Sequence, residues 1–274
     1  MNVLVTGGAG FIGSHFVDLL IKKKKIKKIT VIDNLEDGTL RNLNKALKSK
    51  KVKFVKADLR DFHKIKNLFK NMDNVVHFAA LSDVVPSIVE PKLYMDNNIN
   101  GTINILESMK INGVKKIVYA ASSSCYGIPN KYPTSEMSAL DPRYPYAISK
   151  VICEDIIEYW SKVYGFNFLS LRLFNVYGTR SRTNTAYGAA LGVFLKQKIQ
   201  NKPFTIVGTG NQKRDFIYVT DVCNAFYKAT IKNLKNNQIN IGFGKPRKVD
   251  ELIKIIGGPK IYVPKRPGEP DVTH

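Results

Sequence analysis

The chain is poor in cysteine, tryptophan and acid. Its cysteines are Cys125, Cys153 and Cys223, in 274 residues with a single tryptophan. An odd number without metal-ligand spacing excludes a disulfide framework and a cysteine-built metal site, and suits a reducing compartment. No apolar run approaches the ~20 residues that cross a bilayer, so no membrane association is expected. The N-terminus enters a strand directly, without the charged region and cleavage site of a secretory signal, which predicts a cytoplasmic protein. There is no low-complexity linker and no internal repeat. What is present is ordinary for a globular chain: 44% hydrophobic and 10% aromatic residues, enough to bury one large domain or two closely joined ones.

The shortage of acid leaves 43 Lys and Arg against 22 Asp and Glu, a formal net charge of +21. Such a balance raises the question of a nucleic-acid partner. The lysines, however, are spread along the chain, often beside asparagine. The one dense run, Lys22 to Lys25 with Lys27 and Lys28, closes an amphipathic helix, where cations complement the helix dipole and stay solvated. The expectation is a basic solvated surface that attracts anions, with no specific nucleic-acid partner.

Asn2 to Thr6 is a short apolar strand ending in Gly7-Gly8-Ala9-Gly10-Phe11-Ile12-Gly13. A helix follows from Ser14 to about Lys23, then a second apolar strand, Lys28 to Ile32, closed by Asp33. Strand, glycine turn, helix, strand and acid, with Asp33 twenty residues beyond Gly13, form a dinucleotide-binding fingerprint. Glycines let the backbone approach a pyrophosphate, and the helix N-terminus offers unpaired N–H groups. Asp33 suits the two ribose hydroxyls of NAD and would repel the 2′-phosphate of NADP.

The alternation continues through Val52 to Val55, a helix from about Phe62 to Phe69, and the strand Asn74 to Phe78. Asp58 stands at a strand end, either to meet the adenine or to cap the next helix. His77 reads as a packed strand residue rather than a catalyst. One helix is expected from about Tyr94 to Ile111, carrying Asn97, Asn98 and Gly101. The strand Lys116 to Ala121 then ends in Ser122-Ser123-Ser124-Cys125-Tyr126-Gly127, hydroxyls at the carboxyl end of a parallel strand, where such sheets bind ligands. A further strand is expected at 167–173, a helix to about Gln200, strands at 204–207, 214–219 and 238–242, and helices from near Asp221 and over 249–256. The stretch 263–270 reads as irregular.

Tyr146 and Lys150 stand four apart at the start of a helix, so phenol and ammonium share one face. A nearby ammonium lowers a phenol's pKa from ~10, which makes Tyr146 a candidate general base. The expected fold is α/β, a Rossmann-type doubly wound parallel sheet with a smaller C-terminal α/β part. Residues 1–174 would form the NAD-binding domain, rejoined by a strand at 238–243. Residues 175–237 and 244–274 would bind substrate.

At this point the chain resembles the extended short-chain dehydrogenase/reductase family, in particular its NAD-dependent nucleotide-sugar epimerases and dehydratases. The matching pieces are TGGAGFIGSH, DNL, ADLRD, HFAA, DNNINGT, ASSSCYG, YPYAISK, RLFNVYG, RDFIYV and RPGEP, in order over nearly the whole chain. The resemblance implies that Gly7, Gly10, Phe11, Ile12 and Gly13 hold the NAD pyrophosphate. It implies Asp33 at the ribose, Asp58 and Leu59 at the adenine, and Asn34, Phe78, Ala79, Ala80, Leu81 and Asn97 along the cofactor. Tyr146 would be the base, with Lys150 as its partner and Ser122 bonded to the reacting sugar oxygen. Ser123, Asn175, Arg214 and Arg266 would contact a nucleotide-diphosphate sugar, the arginines by their planar forks. No metal is implied, and a homodimer through residues 94–111 and 146–164 is.

The 4,6-dehydratases of this resemblance carry an Asp-Glu pair after the Ser122 position, and the UDP-glucuronate decarboxylases a Glu. Here Ser123 and Ser124 stand there, which leaves reversible oxidation and reduction and points to a 4-epimerase acting on a UDP-hexose or UDP-N-acetylhexosamine. The alternatives are another sugar-modifying member (dehydratase, decarboxylase or reductase), or a non-catalytic NAD- or RNA-binding protein. Two departures stand out. Ser82 occupies a place where many 4-epimerases have a lysine, and the chain stops soon after Arg266-Pro267-Gly268-Glu269-Pro270, where relatives usually continue; either a truncated or a minimal substrate domain is the expectation.

Overall fold

The computed structural model describes residues 1–182, 190–232, 234, 236–264 and 270–274. The first half alternates strand and helix, as the hydrophobic pattern requires. It runs β1 (Asn2–Thr6), α1 (Phe11–Ile21), β2 (Lys28–Asp33), α2 (Leu40–Leu43), β3 (Val52–Lys56), α3 (Phe62–Ile65) and β4 (Asn74–His77). Next come α4 (Val84–Val89), α5 (Pro91–Met95), α6 (Gly101–Asn112), β5 (Lys116–Ser122), α7 (Pro145–Tyr164) and β6 (Asn167–Leu173). The rest comprises β7 (Asn175–Tyr177), α8 (Ala190–Ile199), β8 (Phe204–Val207), β9 (Lys213–Arg214), β10 (Phe216–Tyr218) and α9 (Val219–Ile231). It closes with β11 (Asn237–Ile241), β12 (Arg247–Lys248), α10 (Val249–Ile256), β13 (Lys260–Val263) and β14 (Val272–Thr273).

Among the described residues, seven strands form one sheet in the order β11-β6-β5-β4-β1-β2-β3, and every neighbour pair is parallel. The inner strands β1, β2, β4 and β5 are buried along almost their whole length, whereas the edge strands β3 and β11 interleave polar Lys53, Lys56, Gln238 and Asn240. On β1, Val3 and Val5 point into one core with Phe16, Val17 and Leu20 of α1 and Val222 and Phe226 of α9. Leu4 points the other way, into a core with Ile105 and Met109 of α6 and Cys153 and Ile157 of α7. The sheet is the doubly wound architecture the alternation predicts. The order reverses between β4 and β1, the switch point at which such sheets open a crevice at their carboxyl ends.

Four local outcomes differ from the sequence expectation. The single helix expected over 94–111 is three pieces, because Asp96–Asn100 winds as a π-helical turn between α5 and α6. The strand expected at 214–219 splits into β9 and β10 at Asp215, whose buried carboxylate accepts the N–H groups of Phe243 and Gly244. α9, placed by sequence with the substrate-binding part, packs its apolar face on α1 and the main sheet. β13, which periodicity does not reveal, pairs in parallel with β8, over a small core of Phe194, Phe204, Ile206, Val249 and Ile253.

Candidate active site

The carboxyl ends of the strands open into one cavity of about 1660 Å³. It extends from the glycine turn, past the ends of β4 and β5 and the start of α7, to β9 and β14. All the site residues expected from sequence line it, apart from Arg266, which lies outside the described residues.

At one end, the turn after β1 is shaped by contacts that only glycine permits. Gly7 has φ +66°, and a Cβ there would lie 2.6 Å from the Ala79 nitrogen. A Cβ on Gly13 would lie 2.2 Å from the Gly7 oxygen, so the first turn of α1 sits directly on the loop. The floor thus stays bare backbone under the helix N-terminus, a cradle fit for a pyrophosphate. Asp33 ends β2 with its carboxylate fixed by two backbone donors, Ala9 N at 2.9 Å and Leu35 N at 2.9 Å. Burial lifts its carboxyl above the usual range, and those two bonds oppose the rise. Remaining lone pairs face the cavity, acceptors for the two hydroxyls of a ribose diol.

Asp58 does not cap the next helix; Asp61 does, accepting from Lys64 N. The Asp58 carboxylate is instead gripped by the Arg60 side chain at 3.0 and 2.7 Å, which holds it down to about 2. Asn34 reaches the same carboxylate at 3.4 Å. The alternatives left open by sequence therefore narrow to a place on the cavity wall.

His77 is buried between Thr6 (2.7 Å) and Thr102 (3.1 Å). Burial, then the nearby Lys150 charge, depresses its pKa to about 3; it is a packed strand residue. Asn98, in the π-helical turn, holds both backbone groups of Leu81, at 2.9 Å and 3.1 Å. Its amide also donates to Ser149 Oγ at 2.9 Å, and Ser149 in turn donates to the Tyr146 carbonyl at 2.7 Å. One side chain thus ties the Leu81 loop to the Tyr146 helix. A π turn is a recurrent feature of functional sites.

Pro145 opens α7 and Gly165 closes it with φ +69°. Lys150 Nζ donates to the Ala120 carbonyl at 2.8 Å and lies 4.7 Å from the Tyr119 ring centre and 6.0 Å from that of Tyr146. Burial lowers its pKa to about 8. Burial pushes the Tyr146 phenol up to about 12, opposed by the nearby Ser122 hydroxyl. This corrects the expectation that Lys150 draws the phenol toward neutrality. In the protein alone desolvation wins, because the ammonium is turned down onto the Ala120 carbonyl.

Ser122 ends β5, and its Oγ accepts from Ser124 N at 3.2 Å and from the Ser124 hydroxyl at 2.8 Å. Beyond it, Asn175 Oδ1 accepts from Thr273 at 2.9 Å. Arg214 is 8% exposed and donates to the Lys213 carbonyl at 3.0 Å. β14 lies beside β9 in parallel pairing.

Sequence reading missed Arg182. Its guanidinium reaches Asp37, after β2, and Asp83, ahead of α4, the latter at 2.6 Å. All three line the cavity, so an ion pair spans the groove between its two walls. Arg180 pairs with Asp18 of α1 at 2.6 Å, and His15 meets the Thr179 carbonyl at 2.9 Å. No local pattern announces pairings so distant in sequence. No group of His, Cys, Asp and Glu among the described residues could hold a metal ion.

A family model described as "NAD dependent epimerase/dehydratase family" matches residues 3–242. A UDP-glucuronate 4-epimerase of Thermodesulfobacterium geofontis is 36% identical over 92% of this chain and 79% of its own length. A solved UDP-N-acetylglucosamine 4-epimerase of Methanobrevibacter ruminantium, in complex with UDP-N-acetylmuramic acid, superposes with TM-score 0.94 at 35% identity. That match covers 99% of this chain and 88% of the other. A dTDP-glucose 4,6-dehydratase of Streptomyces venezuelae, solved with NAD, also reaches TM-score 0.94, at 27% identity over 100% of this chain and 87% of the other. Backbone likeness therefore does not separate epimerase from dehydratase; side chains beside Ser122 must do so.

Proposed function

The chain belongs to the NAD dependent epimerase/dehydratase family, and on that premise we propose how its cavity works. It is an NAD-dependent nucleotide-sugar 4-epimerase. The observation that carries this reading is the Ser122, Tyr146 and Lys150 set, with Ser123 and Ser124 next in line where eliminating or decarboxylating enzymes need an acid. Without a carboxylate there, the site has a base for a hydroxyl and no partner for expelling water.

NAD, when bound, supplies the hydride acceptor and, once reduced, the donor for the return transfer. Gly7, Gly10, Phe11, Ile12 and Gly13 would hold its diphosphate, with Asp33 and Asn34 at the ribose and Asp58 and Leu59 at the adenine. Phe78, Ala79, Ala80, Leu81 and Asn97 complete the wall. Tyr146 takes the proton from the sugar 4-hydroxyl as C4 becomes a ketone, and returns it after the sugar has turned about its diphosphate linkage. Ser122 holds the reacting oxygen. Lys150 keeps a positive charge under the tyrosine and would hydrogen-bond the nicotinamide ribose when NAD is bound. Drawing a phenol from about 12 to near neutrality takes roughly 7 kcal/mol, to which the Lys150 ammonium and, with NAD bound, a positive nicotinamide ring would contribute. Asn175, Arg214 and Arg266 would bind the sugar-nucleotide diphosphate, and Ser123 the sugar.

We further propose a UDP-hexose or UDP-N-acetylhexosamine as substrate, and a cytoplasmic site of action, since all three cysteines are free and buried. A homodimer fits the outer faces of α6 and α7, where Ile111, Tyr159 and Val163 are exposed; Tyr159→Glu with Val163→Glu should leave a monomer in sedimentation. No helix of the described residues is long and apolar enough to cross a membrane.

The deciding experiment incubates the protein with UDP-glucose, UDP-galactose, UDP-GlcNAc and UDP-glucuronate without added reductant, beside Tyr146→Phe. Expected is interconversion of C4 epimers, by NMR, at constant NADH and absent from the variant. Loss of water or carbon dioxide from the sugar would sink the epimerase reading.

A further inference from the structure

We infer that Arg172 is a positioning residue for the reaction, the hub that fixes Tyr146 and Ser122 relative to one another. This rests on the assignment of those two residues as base and holder of the reacting oxygen. Leu171 and Leu173 of β6 face the core under α1 and α9, so Arg172 between them points to the α7 side of the sheet. Its register partner on β5 is Ala121, next to Ser122. Arg172 Nε donates to both carboxylate oxygens of Glu154, at 3.2 and 3.1 Å, and Nη2 to one of them at 3.0 Å. Nη1 donates to the Tyr126 hydroxyl at 2.9 Å and to the Glu136 carbonyl at 3.3 Å. The Tyr126 hydroxyl in turn donates to Asn240 Oδ1 at 2.8 Å. Arg172, Glu154 and Tyr126 are all buried.

Glu154 stands one helical turn beyond Lys150, about 6 Å along α7. The Lys150 bond to the Ala120 carbonyl sets the register of α7 on β5, but it is a single point about which a helix can still pivot. The Glu154 fork is a second point on the same helix, and a planar guanidinium fixes direction as well as distance. With two anchors the Tyr146 end of α7 takes one bearing on the sheet. The third arm acts on the other partner. Tyr126 closes the short 3-10 turn Ser123–Tyr126 that follows Ser122. One guanidinium thus holds both the helix that carries the base and the turn that ends the Ser122 strand. A buried ion pair is a poor source of stability, because the cost of taking both charges out of water largely cancels their attraction. Apolar pairs of similar volume often replace it without loss. Such a pair cannot supply direction, and reactive alignment is lost over about 1 Å.

The test compares the NAD-loaded protein with a folded variant that lacks the fork. Arg172→Met with Glu154→Leu removes both charges together and should unfold at a urea midpoint no lower than wild type. Its kcat should fall roughly 100-fold, with NAD content and the KM of the UDP-sugar unchanged. Backbone amides of residues 122–127 and 146–151 should exchange with deuterium about tenfold faster, while those of β1 and α1 keep the wild-type rate. Arg172→Lys, which keeps the charge and loses the fork, should show both effects more weakly. Wild-type kcat and exchange in the double variant overturn the proposal, and so does a fall in kcat matched by a rise in KM. If the double variant does not fold, Arg172→Lys decides alone, and wild-type kcat and local exchange there overturn the proposal equally. The exchange pattern is read without turnover; local acceleration in the variants beside a wild type that fails to epimerise would count against the proposed reaction alone.

Discussion

Lys150 Nζ sits 2.8 Å from the carbonyl oxygen of Ala120, two residues before the strand ends at Ser122. That bond sets the register of α7 against β5. Tyr146 lies one helical turn N-terminal to Lys150, and Ser122 lies two strand residues beyond Ala120, and both line the cavity. Three catalytic candidates separated by 28 residues of sequence are thereby placed by one buried ammonium and one backbone carbonyl.

The same ammonium is costly. Its fall from 10.5 to about 8 on burial corresponds to about 3 kcal/mol. Lys150→Met should lose turnover yet unfold at higher urea than wild type near neutrality. Between about pH 8 and 10.5 the unfolded chain keeps a proton that the folded protein has released. Wild-type stability therefore rises across that window, and the variant's advantage should shrink. Urea midpoints at pH 7 and pH 10 test this; an advantage that grows with pH refutes it.

His77 sets an acid limit. It is neutral in the fold down to about pH 3, while an unfolded histidine takes a proton near 6.5. Its contribution is whole above pH 6.5 and is lost as pH falls toward 3, at roughly 1.4 kcal/mol per unit. His77→Gln should flatten the stability curve in that window by about one proton, as read from urea unfolding at successive pH values.

Asp33 is fixed by two backbone N–H donors, so its remaining lone pairs have a set direction. Asp33→Asn would turn an amide donor toward one of those N–H groups and remove the charge facing a ribose. NAD affinity should fall about tenfold and the preference over NADP should narrow. Calorimetric titration with both dinucleotides gives both quantities, and unchanged discrimination would remove Asp33 from the ribose site.

Arg182 holds Asp37 and Asp83 across the groove. Burial raises the Asp37 carboxyl, the Arg182 charge opposes that, and Asp83 adds to the rise. Arg182→Ala leaves two carboxylates without their shared cation, and bound NAD should exchange about tenfold faster. Stopped-flow chase with excess unlabelled NAD measures it; an unchanged rate would confine the ion pair to a structural role.

Local chemistry made much of this molecule legible. Gly7 to Gly13 and Asp33 announce themselves because phosphate and ribose binding need those residue types at fixed spacing after a strand. Tyr146 and Lys150 do so because helix periodicity puts them on one face. The Asn98 clamp was hidden because a π-helical turn rotates its side chain off the expected 3.6-residue register. Arg182 was hidden because its carboxylates lie far away in sequence, and the Tyr146 pKa because burial is a property of the folded whole. The break between β9 and β10 depended on Asp215 finding backbone donors near Gly242, which no window of sequence contains.

The parallel pairing of β11 with β6 joins residues 237–241 to residues 169–173. On a ribosome, β6 therefore emerges long before its outer neighbour exists. Until some 65 further residues have been made, β6 forms a bare edge, a template for foreign strands. α9 is synthesised just before β11 and seals one face of the same sheet. The intervening stretch thus decides how long a nascent chain stays sticky, and slow translation between β7 and α9 should favour capture by chaperones or aggregation.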